Sequence, residues 1–485
     1  MRPFKKPASF DYNLVVIGAG SAGLVAANIA ASARARVALI EKADMGGDCL
    51  NTGCVPSKAL IRSAKMLAQA RHADRYGFRS INIEYDFKDV MQRIRRVITT
   101  IAPHDSVERY TELGVDCIKG AAEILSPYEV RVNGKSVTTR NIIIATGASP
   151  CIPPVKGLEQ VPYYTSDTIW ELDKLPQRLT VLGGGAVGTE LSQSFARLGS
   201  KVTQVEMQQQ LLPLEDPDIA DLIKSRLEQE GIRVLTGHRV DSAEPSASGV
   251  NIACSINGST VQVQGDTLLI AVGRKANTAG FGLENLGVRL SKNGSVETDQ
   301  HMRTNYRNIY ACGDVAGPYQ FTHMASHQAW YAALNALLEG IWKVRTDYSA
   351  VPWATFTDPE VARVGLNEQE ARRLRVPYEV TRYNVDELDR AITDESAYGI
   401  VKVLTRPGQD NILGATIVSE YAGELITEFV SAMRSGYGMN RILGTIHIYP
   451  TFSEANKHAA GKWKKNHVPH WLLSLAGKLH DWRRG

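Results

Sequence analysis

The sequence carries the same motif twice. Leu-Val-Val-Ile-Gly-Ala-Gly-Ser-Ala-Gly runs from Leu14 to Gly23, and Leu-Thr-Val-Leu-Gly-Gly-Gly-Ala-Val-Gly runs from Leu179 to Gly188. In each, an apolar strand feeds a Gly-x-Gly-x-x-Gly turn and then a helix. The glycines are Gly18, Gly20 and Gly23 in the first copy and Gly183, Gly185 and Gly188 in the second. An acid lies 18 residues past the third glycine: Glu41 closes the strand 37–40, and Glu206 closes the strand 201–205. Every position of the second copy falls 165 residues after its counterpart. The first glycine makes the tight turn, the second lets a pyrophosphate approach the backbone, and the third lets helix pack on strand. The helix N-terminus offers N–H groups to the phosphates, and the acid accepts from ribose hydroxyls. The expectation is an α/β chain with two Rossmann-like dinucleotide-binding domains. Met207, Gln208, Gln209 and Gln210 follow the second acid with no Arg to meet a 2′-phosphate, which favours NAD(H) over NADP(H) there.

Just after the first copy, Gly-Gly-Asp-Cys-Leu-Asn-Thr-Gly-Cys-Val-Pro-Ser-Lys places Cys49 and Cys54 five positions apart. Six cysteines in 485 residues are too few for a disulfide scaffold, and this pair sits among glycines, not in an apolar core pattern. Zinc needs more clustered ligands than the segment offers. The pair reads as a redox dithiol beside a cofactor. Cys54 precedes Val55-Pro56, and Pro favours a first helical turn, so a helix N-terminus is expected to lower its thiol pKa, with Lys58 adding positive charge. Cys117, Cys151, Cys254 and Cys312 read as small buried residues.

Net charge is +4, and the excess is local: residues 456–485 hold seven Lys or Arg against one acid, Asp481. A basic face over the folded body, the mark of a nucleic-acid protein, is absent from the pattern. No apolar run of signal-peptide length follows the basic start, and no stretch is long enough to span a membrane, so the expectation is a cytosolic protein.

Strand-like runs at 141–144, 268–272 and 308–311 each lead into a glycine turn: Ala-Thr-Gly at 145–147, Gly-Arg-Lys-Ala-Asn from Gly273, and Cys-Gly-Asp-Val from Cys312. They suggest crossings between domains. From about Ser349 the pattern changes to strands at 399–404 and 412–418 and a helix at 421–434, an appended α+β domain.

Together with Phe-Thr-Asp-Pro-Glu from Phe356 and Tyr-Pro-Thr-Phe-Ser-Glu from Tyr449, these residues resemble the flavin-dependent pyridine nucleotide–disulfide oxidoreductases. That family includes dihydrolipoyl dehydrogenases, glutathione reductases and mercuric reductases, and the chain looks closest to mercuric-reductase-like flavoproteins. The resemblance implies an FAD-binding domain in two parts (10–150 and 277–348), an NAD(P)-binding domain (151–276), a dimerisation domain (349–465) and a basic tail (466–485). It implies that Gly18, Gly20, Gly23, Glu41, Thr146, Gly147 and Asp314 hold FAD, and that Gly183, Gly185, Gly188, Glu206 and Gly273 hold the nicotinamide dinucleotide. Cys54 would lie against the flavin, Cys49, more exposed, would exchange with substrate, and Lys58 would bind the cofactor by pairing with Glu190 near the flavin's reactive nitrogen. Electrons would pass from NAD(P)H through FAD to a Cys49–Cys54 disulfide and on to a small disulfide, or in reverse. No metal site is expected; His323 and His327 form an i,i+4 pair with no third ligand.

The chain departs from the family at one place. Where thiol-specific members carry a histidine base before Pro-Thr-x-x-Glu, this sequence has Tyr449, with Glu454, the residue that would orient the base, retained. His447 lies two residues earlier and could stand in, since alternate residues of an extended segment share a face. Mercuric reductases also use tyrosine near this position, but they carry a C-terminal cysteine pair, and the last cysteine here is Cys312. A metal-ion or quinone reductase is therefore the alternative to a disulfide reductase, and a membrane-associated flavin redox sensor is another. The last alternative rests on the tail, where Trp471, Leu472, Leu475, Leu479 and Trp482 fall at helical spacing with Lys478, Arg483 and Arg484 nearby. Such a helix packs on the enzyme or its dimer partner, or lies on an anionic membrane surface. The resemblance also implies a homodimer, with Tyr449 and Glu454 of one chain completing the site around Cys49 of the other.

Overall fold

The computed structural model describes residues 4–247 and 249–485. The chain divides into two compact units, one of Met1–Leu67, Ile83–Met207 and Gly237–Asp347, the other of Ala68–Asn82, Gln208–Thr236 and Tyr348–Gly485.

The first unit holds both repeats. Five strands pair in parallel in the order Val115–Lys119, Val37–Glu41, Tyr12–Ile17, Lys135–Ile144 and Ile309–Ala311. Leu14, Val15 and Val16 are fully buried, as a strand covered on both faces requires. The helices Ser21–Ser32 and Thr322–Leu337 pack on this sheet through alanines (Ala26, Ala27, Ala30; Ala329, Ala332, Ala333) whose small side chains permit close approach. The run expected at 141–144 is the buried end of a ten-residue strand, whose outer half turns back antiparallel with Glu129–Val132 and Ala122–Ser126. The second repeat builds its own parallel sheet, in which Lys201–Val205, Arg178–Leu182, Thr267–Ile270 and Tyr164–Thr165 are neighbours in that order. A three-stranded antiparallel meander, Arg239–Ser246, Gly249–Ile256 and Ser259–Gly265, precedes the strand Thr267–Ile270 in sequence. The two crossing segments pair with each other, Ala148–Pro150 against Arg274–Ala276.

The second unit is an antiparallel sheet in the order Pro352–Thr355, Glu360–Gly365, Ile412–Ser419, Ile400–Thr405, Glu379–Asn384. The helices Ala422–Ser435 and Glu454–Asn466 cover it, burying Ile426, Phe429, Ala459 and Trp463. Residues 208–236 join this unit through ions. Lys402 is 1% exposed and donates to Asp216 at 2.8 Å, Asp218 at 2.9 Å and Glu368 at 2.7 Å. Arg363, equally buried, donates to Glu370 at 3.1 Å and stacks on Trp353, whose indole N–H donates to Glu215 at 2.9 Å. Buried charges persist only when paired and hydrogen-bonded in this way. The tail folds as one helix, His470–Arg484, with none of its residues buried.

Candidate active site

At the first repeat, Gly18 sits at φ +102° with the space of a side chain filled: a Cβ would come within 2.3 Å of the Ala145 carbonyl oxygen. A Cβ on Gly23 would lie 1.7 Å from the Gly18 oxygen, so helix and turn are in backbone contact. Gly20 caps the helix without a side-chain acceptor, which leaves the first-turn N–H groups for another acceptor. Glu41 reaches back, accepting from the N–H of Ala19 at 2.6 Å and of Ala43 at 2.7 Å. Gly313 packs on Ala22 and receives its own anchor from Gln328, which accepts the Gly313 N–H at 2.8 Å, and this brings Asp314 beside the first helix. Burial lifts the Asp314 carboxyl to about 6, against the pull of Arg274. Thr146 is spent on the crossing, donating to the Asn277 carbonyl at 2.7 Å, and the Gly147 carbonyl accepts from Asn277 at 2.9 Å. These residues fit a dinucleotide: a glycine cradle that any Cβ would fill, uncapped N–H groups and a carboxylate at the next strand end.

The cysteine segment is folded onto this cradle. The Gly46 N–H donates to the Ala19 carbonyl at 2.9 Å, and a Cβ on Gly47 would stand 2.7 Å from the Gly20 Cα. Cys49 falls in the short helix Gly47–Asn51, and Cys54 opens the helix Cys54–Arg71. The neighbouring Cys54 and burial hold the Cys49 thiol well above its ordinary range, against the pull of Thr322 and Ser21. Cys54 meets the Thr322 hydroxyl at 3.4 Å, at the first turn of the helix Thr322–Leu337. The hydrogen bond from Cys49 lowers the Cys54 thiol to about 6, with help from Thr322 and the Lys58 charge against the cost of burial; the same bond raises Cys49. A thiolate at a helix N-terminus beside a cation is the reactive form of the residue. Cys54 is exposed and Cys49 half-buried, with Cys49 in the turn pressed against the first repeat.

Lys58, one turn past Cys54, pairs with Glu190 at 2.8 Å. Glu190 lies on the helix Ala186–Arg197 that follows the second glycine turn, so one ion pair ties the dithiol helix to the second repeat. That turn repeats the first. Gly183 sits at φ +115°, and a Cβ on Gly188 would lie 2.3 Å from the Gly183 oxygen. Glu206 accepts from the Gly184 N–H at 2.5 Å. Gly273, at φ +121°, leaves space around its Cα and accepts from the Cys151 N–H at 2.9 Å.

Tyr449, His447 and Glu454 belong to the second unit. Tyr449 is exposed and donates to Asp389 at 3.0 Å, a bond that raises its pKa. Glu454 accepts from the Thr451 N–H at 3.3 Å and not from Tyr449. His447 does not share a face with Tyr449: its side chain is 5% exposed, and its ring nitrogens face the Thr445 carbonyl at 3.0 Å and Glu428 at 3.1 Å. The segment is irregular, so strand alternation does not apply, and the ring is committed to acceptors of its own unit.

Three contributors were not read from the sequence. Thr322 and Ser21 are the hydroxyls at the thiols. Arg274 bonds Asp48, Asp167 at 3.1 Å and the Ala148 carbonyl at 2.7 Å, fastening the cysteine turn to the crossing strand. Ser21 and Arg274 stand inside motifs already noticed, as the residue after Gly20 and after Gly273. His323 stacks on Phe321 and His327 meets the Asp347 carbonyl at 3.2 Å; among the described residues no three His, Cys, Asp or Glu gather to hold a metal.

Two dinucleotide cradles joined through a dithiol define an oxidoreductase that couples nucleotide and thiol chemistry. Residues 12–329 match the pyridine nucleotide-disulphide oxidoreductase family and residues 351–460 its dimerisation domain, and the chain belongs to that family. The mercuric reductase of Staphylococcus aureus is 33% identical over 456 residues, 94% of this chain and 83% of that protein. The dihydrolipoyl dehydrogenase of Chlamydia muridarum is 37% identical over 449 residues, 91% of this chain and 95% of that one. The HOCl-induced flavoprotein disulfide reductase RclA of Escherichia coli superposes with a TM-score of 0.82 at 31% identity, covering 93% of this chain and 99% of RclA. LpdA of Mycobacterium tuberculosis gives 0.84 at 28%, with 93% and 99% covered. The family is FAD-dependent and uses pyridine nucleotides, and its members are NAD(P)H-dependent disulfide oxidoreductases. The dimerisation domain supports a homodimer. Among the described residues no helix is long and apolar enough to cross a membrane.

Proposed function

We propose that this chain reduces a small disulfide with NADH, or runs the reverse reaction, through Cys49 and Cys54. The observation that carries the reading is Cys54 at the start of the helix Cys54–Arg71, against the Thr322 hydroxyl and one turn from the Lys58–Glu190 pair. Gly18, Gly20, Gly23, Glu41 and Asp314 would hold FAD, which when bound supplies the relay between nicotinamide hydride chemistry and dithiol chemistry. Gly183, Gly185 and Gly188 take the pyrophosphate of NADH, and Glu206 its ribose hydroxyls. The absence of any Arg in residues 207–210 supports NADH over NADPH.

The dithiol shares a single proton, with the charge on Cys54 and the hydrogen on Cys49. As that proton crosses the hydrogen bond, the Cys49 thiolate attacks the substrate disulfide, forming a mixed disulfide and expelling one substrate thiolate. Cys54 gives its proton to this leaving group and then attacks the mixed disulfide at the Cys49 sulfur. The intramolecular disulfide closes, and the second substrate thiolate takes a proton from solvent. Proton transfer within the pair explains how a chain with Tyr449 in place of histidine can turn over. In the homodimer the exposed segment Ile446, Ile448 and Tyr449 (95%, 77% and 68% exposed) would be covered by the partner.

Anaerobic titration with NADH and with NADPH, followed by oxidised glutathione, dihydrolipoamide, Hg(II) and quinones, tests this reading. Cys49→Ser should retain FAD and lose disulfide reduction entirely. Retained reduction, or turnover of Hg(II) or quinones alone, would hand the site to the metal-ion or quinone alternative.

The tail supports a second role. Trp471, Leu472, Leu475, Leu479 and Trp482 form one exposed stripe, and at helical spacing Lys478 and Arg483 flank its two borders. Cations at the edges of a Trp-bearing apolar face suit an anionic lipid surface. Flotation with anionic liposomes should carry the full chain and not one truncated after Lys465; equal flotation, or none, removes this role.

A further inference from the structure

We infer that the cavity beside Cys54 selects an anionic substrate, and that Arg93 is the residue that selects it. This rests on the disulfide-exchange reading above and names the substrate class of that site. The cavity holds about 300 Å³ and is walled by two helix faces. Cys54, Val55, Lys58 and Ala59 come from the helix Cys54–Arg71, and Arg93, Val97 and Ile101 from Phe87–Ile101, the last three at successive i,i+4 positions. Val55, Ala59, Val97 and Ile101 give it an aliphatic lining that suits a hydrocarbon body.

Two cations interrupt that lining, and they differ. Lys58 is neutralised by Glu190 at 2.8 Å. Arg93, half-buried, has no carboxylate partner among the described residues. One guanidinium nitrogen, Nη1, donates to the Ala59 carbonyl at 2.7 Å and to the Ser63 hydroxyl at 3.1 Å. These two bonds fix the plane of the guanidinium and use only Nη1. The Nε–Nη2 edge keeps its donors, and that edge is the one a carboxylate meets with two parallel hydrogen bonds. Ala59 lies five residues along the helix from Cys54, roughly 7 Å at 1.5 Å per residue. A disulfide on a short aliphatic stem that ends in a carboxylate would place its sulfur at the dithiol and its charge on Arg93. A neutral amide of the same size would leave that guanidinium edge without its charge partner.

The test is a matched pair of thiol alkylators, iodoacetate and iodoacetamide, on the reduced holoenzyme, with the modified cysteine located by peptide mass. In Arg93→Gln the rate ratio of iodoacetate to iodoacetamide should fall about threefold, because the short carboxylate at the dithiol feels the Arg93 charge through space without touching it. Arg93→Lys should keep most of the ratio, and added salt should lower it in the unmutated protein. The iodoacetamide rate monitors folding. In turnover, kcat/KM for lipoate relative to lipoamide should drop by a similar factor in Arg93→Gln. An unchanged alkylation ratio in Arg93→Gln, or a ratio indifferent to salt, overturns the inference even where both disulfides are reduced. A protein that reduces neither disulfide overturns the proposed function, while the alkylation ratio still decides the pocket.

Discussion

The two glycine turns share a backbone and differ in what lies over them. Gly18 and Gly183 both turn at positive φ, Gly23 and Gly188 both touch the carbonyl of that first glycine, and Glu41 and Glu206 both accept a backbone N–H of their own turn. At the middle glycine they part. A Cβ on Gly20 would meet the Gly47 Cα at 3.8 Å, because the cysteine segment is hydrogen-bonded across the first turn, whereas a Cβ on Gly185 would meet nothing within 4 Å. The first cradle is therefore roofed by the segment that carries the dithiol, and the second is open. A roofed cradle suits a group that stays, and an open one suits a nucleotide that comes and goes with each turnover. On the proposed function, the same fold element would serve two kinetic roles, set by one neighbouring loop.

The comparison breaks most visibly at the glycines. Gly23→Ala puts a Cβ 1.7 Å from backbone oxygen, and neither partner can rotate away. It should cost about 3 kcal/mol or more and yield protein without FAD, read from the flavin absorbance per chain and the melting temperature. Gly185→Ala should fold with a full complement of flavin, because the site is open in the free protein, and raise KM for NADH about tenfold by crowding the pyrophosphate. Loss of flavin in Gly185→Ala, or full flavin in Gly23→Ala, would show that the two cradles are not specialised as described.

These positions were legible because each motif states a local backbone need: a positive φ, a close approach, a carboxylate at the end of the next strand. The dithiol was legible for the same reason, since five residues of spacing and a following proline fix a turn and a helix start. What stayed hidden depends on partners distant in sequence. Lys402 is buried against Asp216, which lies 186 residues earlier, and neither residue stands out in its own segment. That ion cluster ties residues 208–236 to the antiparallel sheet of the second unit. Thr322 and Arg274 were hidden likewise, their contacts to Cys54 and Asp48 spanning 268 and 226 residues.

The dithiol roof can be probed through its charge. With Cys54 lowered to about 6, its alkylation rate should be low where the thiol is protonated, rise through pH 6 and level off above it. Lys58→Met removes one of the groups that lower this pKa and leaves Glu190, which raises it, unpaired, so the midpoint should move to higher pH. The rate at pH 6 should then fall several-fold, with little change at pH 9, as expected when only the thiolate fraction changes. A midpoint that stays near 6 in Lys58→Met would mean that the Cys49 hydrogen bond and Thr322 hold the thiolate without the cation.

The smallest expected effect separates the two acids. Glu41 is held from two sides, by Ala19 and Ala43, beneath the roofed cradle, whereas Glu206 borders the open one. Glu206→Gln keeps the shape of the side chain and a hydrogen-bonding oxygen but removes the charge that repels a 2′-phosphate and that strengthens the bond to ribose hydroxyls. NADH should therefore weaken while NADPH improves, and the ratio of their kcat/KM values should narrow by about fivefold, roughly 1 kcal/mol of selectivity. Flavin content should not move, because Glu206 does not border the first cradle. A ratio unchanged in Glu206→Gln would mean that nucleotide choice at the open cradle is set by residues other than the acid at its strand end.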